Sequence, residues 1–157
     1  RLIWGKDDTS VLASFMQAVH DGRFMWMGGG RYKTSTCHVR NVCEGALLAA
    51  EKGRGGEAYF LTDGEPVVFR DFITKMLKTQ GVDPGTKSVP RGVAFVVADV
   101  CELVWRLFAL KSTPPITRFV VRVMGSEVTV NDAKARRELG YTGHVSIEEG
   151  LKEMREG

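Results

Sequence analysis

Three consecutive glycines, Gly28-Gly29-Gly30, followed by Arg31 and Lys33, form the stretch best suited by composition to meet an anion. Glycine-rich turns present backbone N–H groups to phosphate, above all where they open a helix. GGGRYKT fits neither G-x-G-x-x-G nor the P-loop spacing, and no long helix follows it directly. The glycines are therefore read as a loop that needs unusual backbone angles. Arg31 and Lys33 remain as side chains able to meet a charged ligand at the mouth of a cleft. Other reactive groups are few. No Ser or Cys sits in a G-x-S-x-G elbow. Tyr32, Tyr59 and Tyr141 are followed four residues later by Thr36, Asp63 and Val145. No lysine is thus placed one helical turn from a phenol to depress its pKa. His38 is the remaining general base or donor, although a lone His in an apolar strand is more often a hydrogen-bonded core residue.

Several classes of function are disfavoured. The histidines at 20, 38 and 144 and the cysteines at 37, 43 and 101 have no zinc-ligand spacing, so no metal site is expected. An odd cysteine count without a CxxC pair argues for a reducing cytoplasm and against a disulfide framework. The net charge of +3 comes from 22 basic and 19 acidic residues, and the basic ones are scattered. No block of them suggests a nucleic-acid partner. With 157 residues, 43% hydrophobic and 26% charged, the chain reads as one globular unit over 1–157.

The elements that must position these groups are short strands set among helices. Thr9 or Ser10 is expected to cap a helix to about Asp21, with Val11, Phe15, Ala18 and Val19 inward and Gly22 as the stop. Phe24 to Met27 and Thr36 to Val39 read as strands. Asn41 and Glu44 have capping-box spacing at the start of a helix that ends at Gly53. Ala58 to Thr62 reads as a strand, as does Val67-Val68. The amphipathic run from Phe69 to Gln80 puts Phe72, Ile73, Met76 and Leu77 inward. The stretch 92–110 is nearly long enough to span a bilayer, but Asp99, Glu102 and Arg106 fall on one stripe. It is read as a core helix with one solvated ridge; a helix lying on a membrane surface or lining an apolar pocket is the lesser alternative. A helix to about Met124 follows Pro114-Pro115, Asn131 caps KARREL, and Ser146 with Glu149 makes a capping box. The class is mixed α/β, with too few consecutive strands for a complete sheet.

The order RLIWGKDD, MWMGGG, TCHVRNVCEGALLAAEKG, EAYFLTDGEPVVFRDF, KARRELGY, SIEEGL resembles the C-terminal half of extended short-chain dehydrogenases/reductases. It is most similar to the NAD-dependent epimerase/dehydratase and 3β-hydroxysteroid dehydrogenase-like branch. Arg1-Leu2-Ile3-Trp4-Gly5 resembles the strand that follows the catalytic helix of a Rossmann-type fold. The resemblance implies that roughly 160 to 180 residues, one nucleotide-binding domain, precede this stretch in the intact enzyme. The pyrophosphate-binding glycines and the Tyr-x-x-x-Lys would lie there, so no catalytic or cofactor-binding residue is assigned here. NAD or NADP is the cofactor implied for the intact enzyme, with no tight binding by this chain alone.

What remains resembles a small, mostly helical substrate-binding subdomain. The residues carried over as candidate substrate contacts are Ile3, Trp4, Arg31, Lys33 and His38, with Trp4 at the cofactor–substrate cleft. The Arg that nucleotide-sugar epimerases place before the His/Tyr-Val segment is missing, because Thr34-Ser35-Thr36 stands there. That absence and the apolar surround of Phe24, Trp26, the 92–110 helix and Phe119 imply a hydrophobic alcohol or ketone, steroid-like or otherwise. The function expected is the substrate-binding part of an NAD(P)-dependent dehydrogenase or epimerase, inactive alone and given to self-association. The alternative is a stand-alone, non-catalytic ligand- or partner-binding module that completes its sheet by dimerisation.

Overall fold

The computed structural model describes residues 2–109, 112, 114 and 116–156. Among these residues, three two-stranded pieces lie among seven α-helices. In chain order they are β1 (Leu2–Trp4), α1 (Val11–His20), β2 (Trp26–Met27), β3 (Lys33–Thr34), β4 (Thr36–His38) and α2 (Val39–Lys52). Then come β5 (Val67–Val68), α3 (Phe69–Thr79), β6 (Ser88–Val89), α4 (Arg91–Leu107), α5 (Arg118–Met124), α6 (Ala133–Leu139) and α7 (Ile147–Glu156). β1 runs parallel to β4, with Trp4 opposite His38. β2 runs parallel to β6, and β3 is antiparallel to β5. The architecture is the mixed α/β class expected, with no sheet wider than two strands among the described residues.

The main core gathers the apolar faces of α1, α3 and α7 over β1 and β2. Trp4, Leu12, Phe24, Trp26, Phe69, Phe72, Ile73, Met76, Leu77, Leu151 and Met154 are buried in it. The period of α3 puts Phe72, Ile73, Met76 and Leu77 inward, as expected from apolar residues at helical spacing. Aromatic rings meet edge to face: Trp4 with Phe72 at 5.1 Å, and Phe24 with Trp26 at 4.8 Å. Ser146 and Glu149 make the expected reciprocal capping box before α7, Ser146 N donating to Glu149 Oε2 and Glu149 N to Ser146 Oγ.

The glycine run 28–30 forms a single 3₁₀ turn with φ of +57, +75 and +68°, the left-handed region closed to most side chains. Gly29 N donates to Ser88 Oγ.

Four expectations are corrected. Ser10 is the N-cap residue of α1 but its side chain makes no capping bond; Asp8 does so, its carboxylate accepting from the backbone of Ser10, Val11 and Leu12. Residues 58–62 do not pair as a strand, although Asp63 N donates to Thr36 O beside β4. α2 begins at Val39 with His38 as its cap, so Asn41 and Glu44 form no capping box. Their side chains are spent elsewhere. α4 is not a core helix: only Ala94 and Ala98 are buried in it, while Val93, Val96, Val97, Val100, Leu103 and Leu107 are exposed.

Phe24, Trp26 and Phe119 do not line a common pocket. The first two are core residues and Phe119 is 74% exposed on α5. Among the described residues they do not form the apolar surround inferred from them.

Gly150 on α7 lies where a methyl group would come within 2.6 Å of Trp4 Cη2 and 2.8 Å of His38 Cδ2. Alanine would add about 1 kcal/mol of helix propensity. Overpacking against two rigid rings costs about 1–3 kcal/mol. Gly150→Ala is therefore expected to lower the unfolding free energy by up to about 2 kcal/mol in urea denaturation. A rise in stability would mean that the two rings can yield.

Candidate functional site

In open parallel sheets, ligands bind beyond the carboxyl ends of the strands. β1 and β4 end together at Trp4 and His38, which places the candidate site there. The site is built on one carboxylate. Asp63 Oδ2 accepts from Trp4 Nε1 at 2.7 Å and from Thr36 Oγ1 at 2.8 Å. Its Oδ1 accepts from His38 N at 2.6 Å and Asn41 Nδ2 at 2.8 Å. A carboxylate offers about four lone-pair sites, and each has a donor here. Asn41, fully buried, extends the network by donating to Val145 O and accepting from Val145 N.

His38 is 1% exposed, and its ring meets Trp4 edge to face at 4.9 Å. Nδ1 accepts from Arg40 N at 3.3 Å, so in the neutral ring Nε2 carries the proton. Nε2 has no hydrogen-bond partner among the described residues and lies 3.9 Å from Glu153 Oε2, whose carboxylate also pairs with Arg40. Burial holds the imidazole pKa below its usual 6.5, outweighing the carboxylates of Glu153 and Asp63. A neutral donor is thus held under α7.

Neighbouring nucleophiles are silenced. Burial, with Asp63 nearby, pushes the Cys37 thiol up to about 11, and burial raises the Tyr141 phenol strongly. Neither is ionised near neutral pH. Burial would raise Glu44 too, but hydrogen bonds from Thr142 and His144 bring its carboxyl down to about 2. Glu44 holds the 142–144 loop beside the site, accepting from the backbone of all three residues.

The structure brings Trp4 and His38 together and buries both. Ile3, one step back in register and opposite Cys37, is 52% exposed. Arg31 and Lys33 belong to the glycine turn and β3 and are exposed. Among the described residues, no hydrogen bond, ion pair or ring contact joins either to Trp4 or His38. Sequence reasoning missed Asp63, read as part of a turn. One signal was available: a buried Trp needs an acceptor for its N–H.

The pyrophosphate of a dinucleotide needs a glycine turn opening a helix. Here the glycine turn is followed by β3, and one of its amides is engaged by Ser88. Among the described residues nothing fits that group.

No family model matches the chain. It is 51% identical over 156 residues to a 4-hydroxy-2-methyl-3-oxo-4-farnesyl-3,4-dihydroquinoline-1-oxide ketoreductase of Stigmatella aurantiaca, covering 99% of this chain and 47% of that protein. It is 34% identical to a decarboxylating sterol-4-alpha-carboxylate 3-dehydrogenase of Dictyostelium discoideum, covering 98% and 47%. The chain thus spans about half the length of the curated relatives it matches. Among solved structures, a dTDP-glucose 4,6-dehydratase of Streptomyces venezuelae with NAD bound superposes with a TM-score of 0.61 at 20% identity, covering 99% of this chain and 40% of that one. A UDP-glucuronic acid 4-epimerase of Bacillus cereus in complex with NAD gives 0.59 at 13%, also over 99% and 40%. These two likenesses show the fold. The chain belongs to the extended short-chain dehydrogenase/reductase family, in its epimerase/dehydratase and 3β-hydroxysteroid dehydrogenase-like branch. Its element order fits the C-terminal portion of that fold.

Two outcomes are expected. Asp63→Ala strips four donors of their acceptor and should cost about 3 kcal/mol or more in stability, read by denaturant melts. For His38 the folded pKa lies below the unfolded value of 6.5. The unfolded chain therefore takes up the proton first, and the contribution is whole above pH 6.5 and lost as pH falls below it. His38→Asn should flatten that part of the stability profile, and ring ¹⁵N shifts should report a neutral imidazole at pH 6.5. A protonated ring there would contradict the burial argument.

Proposed function

We propose that this chain is the substrate-binding portion of an NAD(P)-dependent ketoreductase or dehydrogenase that acts on a hydroxyl or keto group of an apolar small molecule. The observation that carries the reading is the 51% identity, sustained over 156 residues, to a ketoreductase of a farnesylated quinoline oxide. The sterol dehydrogenase likeness points to the same kind of substrate, a polar carbon on a large hydrocarbon frame. In this reading hydride chemistry belongs to a nicotinamide cofactor held outside the residues described here, and the intact protein carries the activity.

The part given to this chain is placement. Ile3, Arg31 and Lys33 have the exposure needed to touch a ligand, and they are proposed as its contacts. Trp4 and His38 lie beneath the surface and are proposed as positioning residues. Trp4, fixed by Asp63, sets the end of β1, and His38 sets the first turn of α2. Neither is asked to meet the reacting atoms.

The protein translated from the complete reading frame containing these residues should consume NADH or NADPH in the presence of a prenylated cyclic ketone. Ile3→Asp should raise KM for the ketone about tenfold, the cost of one well-buried apolar contact, and leave kcat nearly unchanged. Ketone binding without turnover by either cofactor would replace this reading with that of a non-catalytic ligand-binding module.

A further inference from the structure

We infer that His38, Arg40 and Glu153 form an acid-operated switch, in which a proton taken up by the imidazole frees the first turn of α2 and ties the end of β4 to α7. The inference does not rest on the proposed activity. Its first ground is that the ring satisfies only one nitrogen at a time. In the neutral form Nδ1 accepts from Arg40 N at 3.3 Å and so caps α2. The proton on Nε2 meanwhile meets no acceptor among the described residues. The charged ring is a donor at both nitrogens. Its Nδ1–H would face the N–H of Arg40, donor against donor, and the cap would be lost. Its Nε2–H would gain an ionised acceptor, because Glu153 Oε2 stands 3.9 Å away, about 1 Å beyond a charge-assisted hydrogen bond. Each protonation state completes a bond that the other leaves open.

The second ground is that the Glu153 carboxylate can change partners cheaply. Its Oε1 pairs with the guanidinium of Arg40. Arg40 is exposed and Glu153 half-buried, so water can take over the guanidinium when the carboxylate turns inward. The ring itself is closely held. α7 and the chain after β1 approach it through glycines, where an added methyl carbon would come within 2.8 Å of Cδ2 at Gly150 and 3.2 Å of Nε2 at Gly5. Asp63 is the other carboxylate facing the ring, and its lone pairs are taken by four donors. Glu153 is the acceptor left to move. Burial opposes the imidazolium most; Glu153 of α7 and Asp63 favour it, and Arg40 of α2 and His144 of the loop before α7 oppose it. β1 adds only the uncharged ring of Trp4. The balance sets the change below pH 6.5.

Ring and backbone amide ¹⁵N spectra of the protein carrying all 157 residues, titrated from about pH 7.5 down to about pH 4.5, test this. The Arg40 amide is expected to shift with the same midpoint as the His38 ring, below pH 6.5, while circular dichroism stays native. Glu153→Gln removes the acceptor and should lower that midpoint by about half a unit or more. Arg40→Met removes the competing cation and should raise it by a similar amount. His38→Asn keeps a side chain that caps well and takes up no proton, so the amide of residue 40 should stop responding to pH. An Arg40 amide that holds still while the His38 ring titrates would overturn the inference. So would equal midpoints in the parent and the Glu153→Gln variant, or global unfolding before the ring gains its proton.

Discussion

The Asp63 carboxylate is the point on which the rest of the arrangement depends. Its four donors come from three separate elements: Trp4 of β1, Thr36 and His38 of β4, and Asn41 of α2. Removing an indole N–H, a hydroxyl, an amide and a backbone N–H from water is unfavourable unless each finds an acceptor. One ionised carboxylate serves all four. It thereby fixes the register of a strand pair only three residues long, which backbone hydrogen bonds alone would hold weakly. With that register set, Trp4 reaches Phe72 of α3, His38 caps α2, and α7 can approach closely enough to need glycine at 150.

Much of the helical framework was legible in the sequence, because the signals for it are local. α2, α3, α6 and α7 follow from apolar spacing and from stops at Gly53, Gly81 and Gly140, and the Ser146–Glu149 pair marks the start of α7. Where the reading failed, a side chain was engaged at long range. Asn41 and Glu44 have the spacing of a cap, but they bond Val145 and the 142–144 loop, about a hundred residues away. Asp63-Gly64 carries a turn signal, and nothing local distinguishes a turn Asp from one that gathers four donors. Helix α4 failed for another reason. A helix apolar on nearly every side reads as buried, and the sequence does not say what covers it.

The family assignment rests on the whole length of the chain rather than on a reactive constellation. None of the three tyrosines has a lysine one helical turn away, Cys37 and Tyr141 are held protonated, and His38 is neutral and covered. Polar side chains bond internally around Asp63 and Glu44, and most of the large apolar side chains exposed among the described residues lie between 93 and 123.

The bond between Asn41 and Val145 joins residues 104 apart in sequence, and Trp4 is overlaid by Gly150. Contacts this distant make for slow folding, since a long loop must close before they form. During synthesis, α1 to α3 leave the ribosome with Trp4, His38 and much of the aromatic core still lacking the segment that covers them. They must wait for α7. Until it arrives the nascent chain displays apolar rings to its surroundings, a condition that favours aggregation.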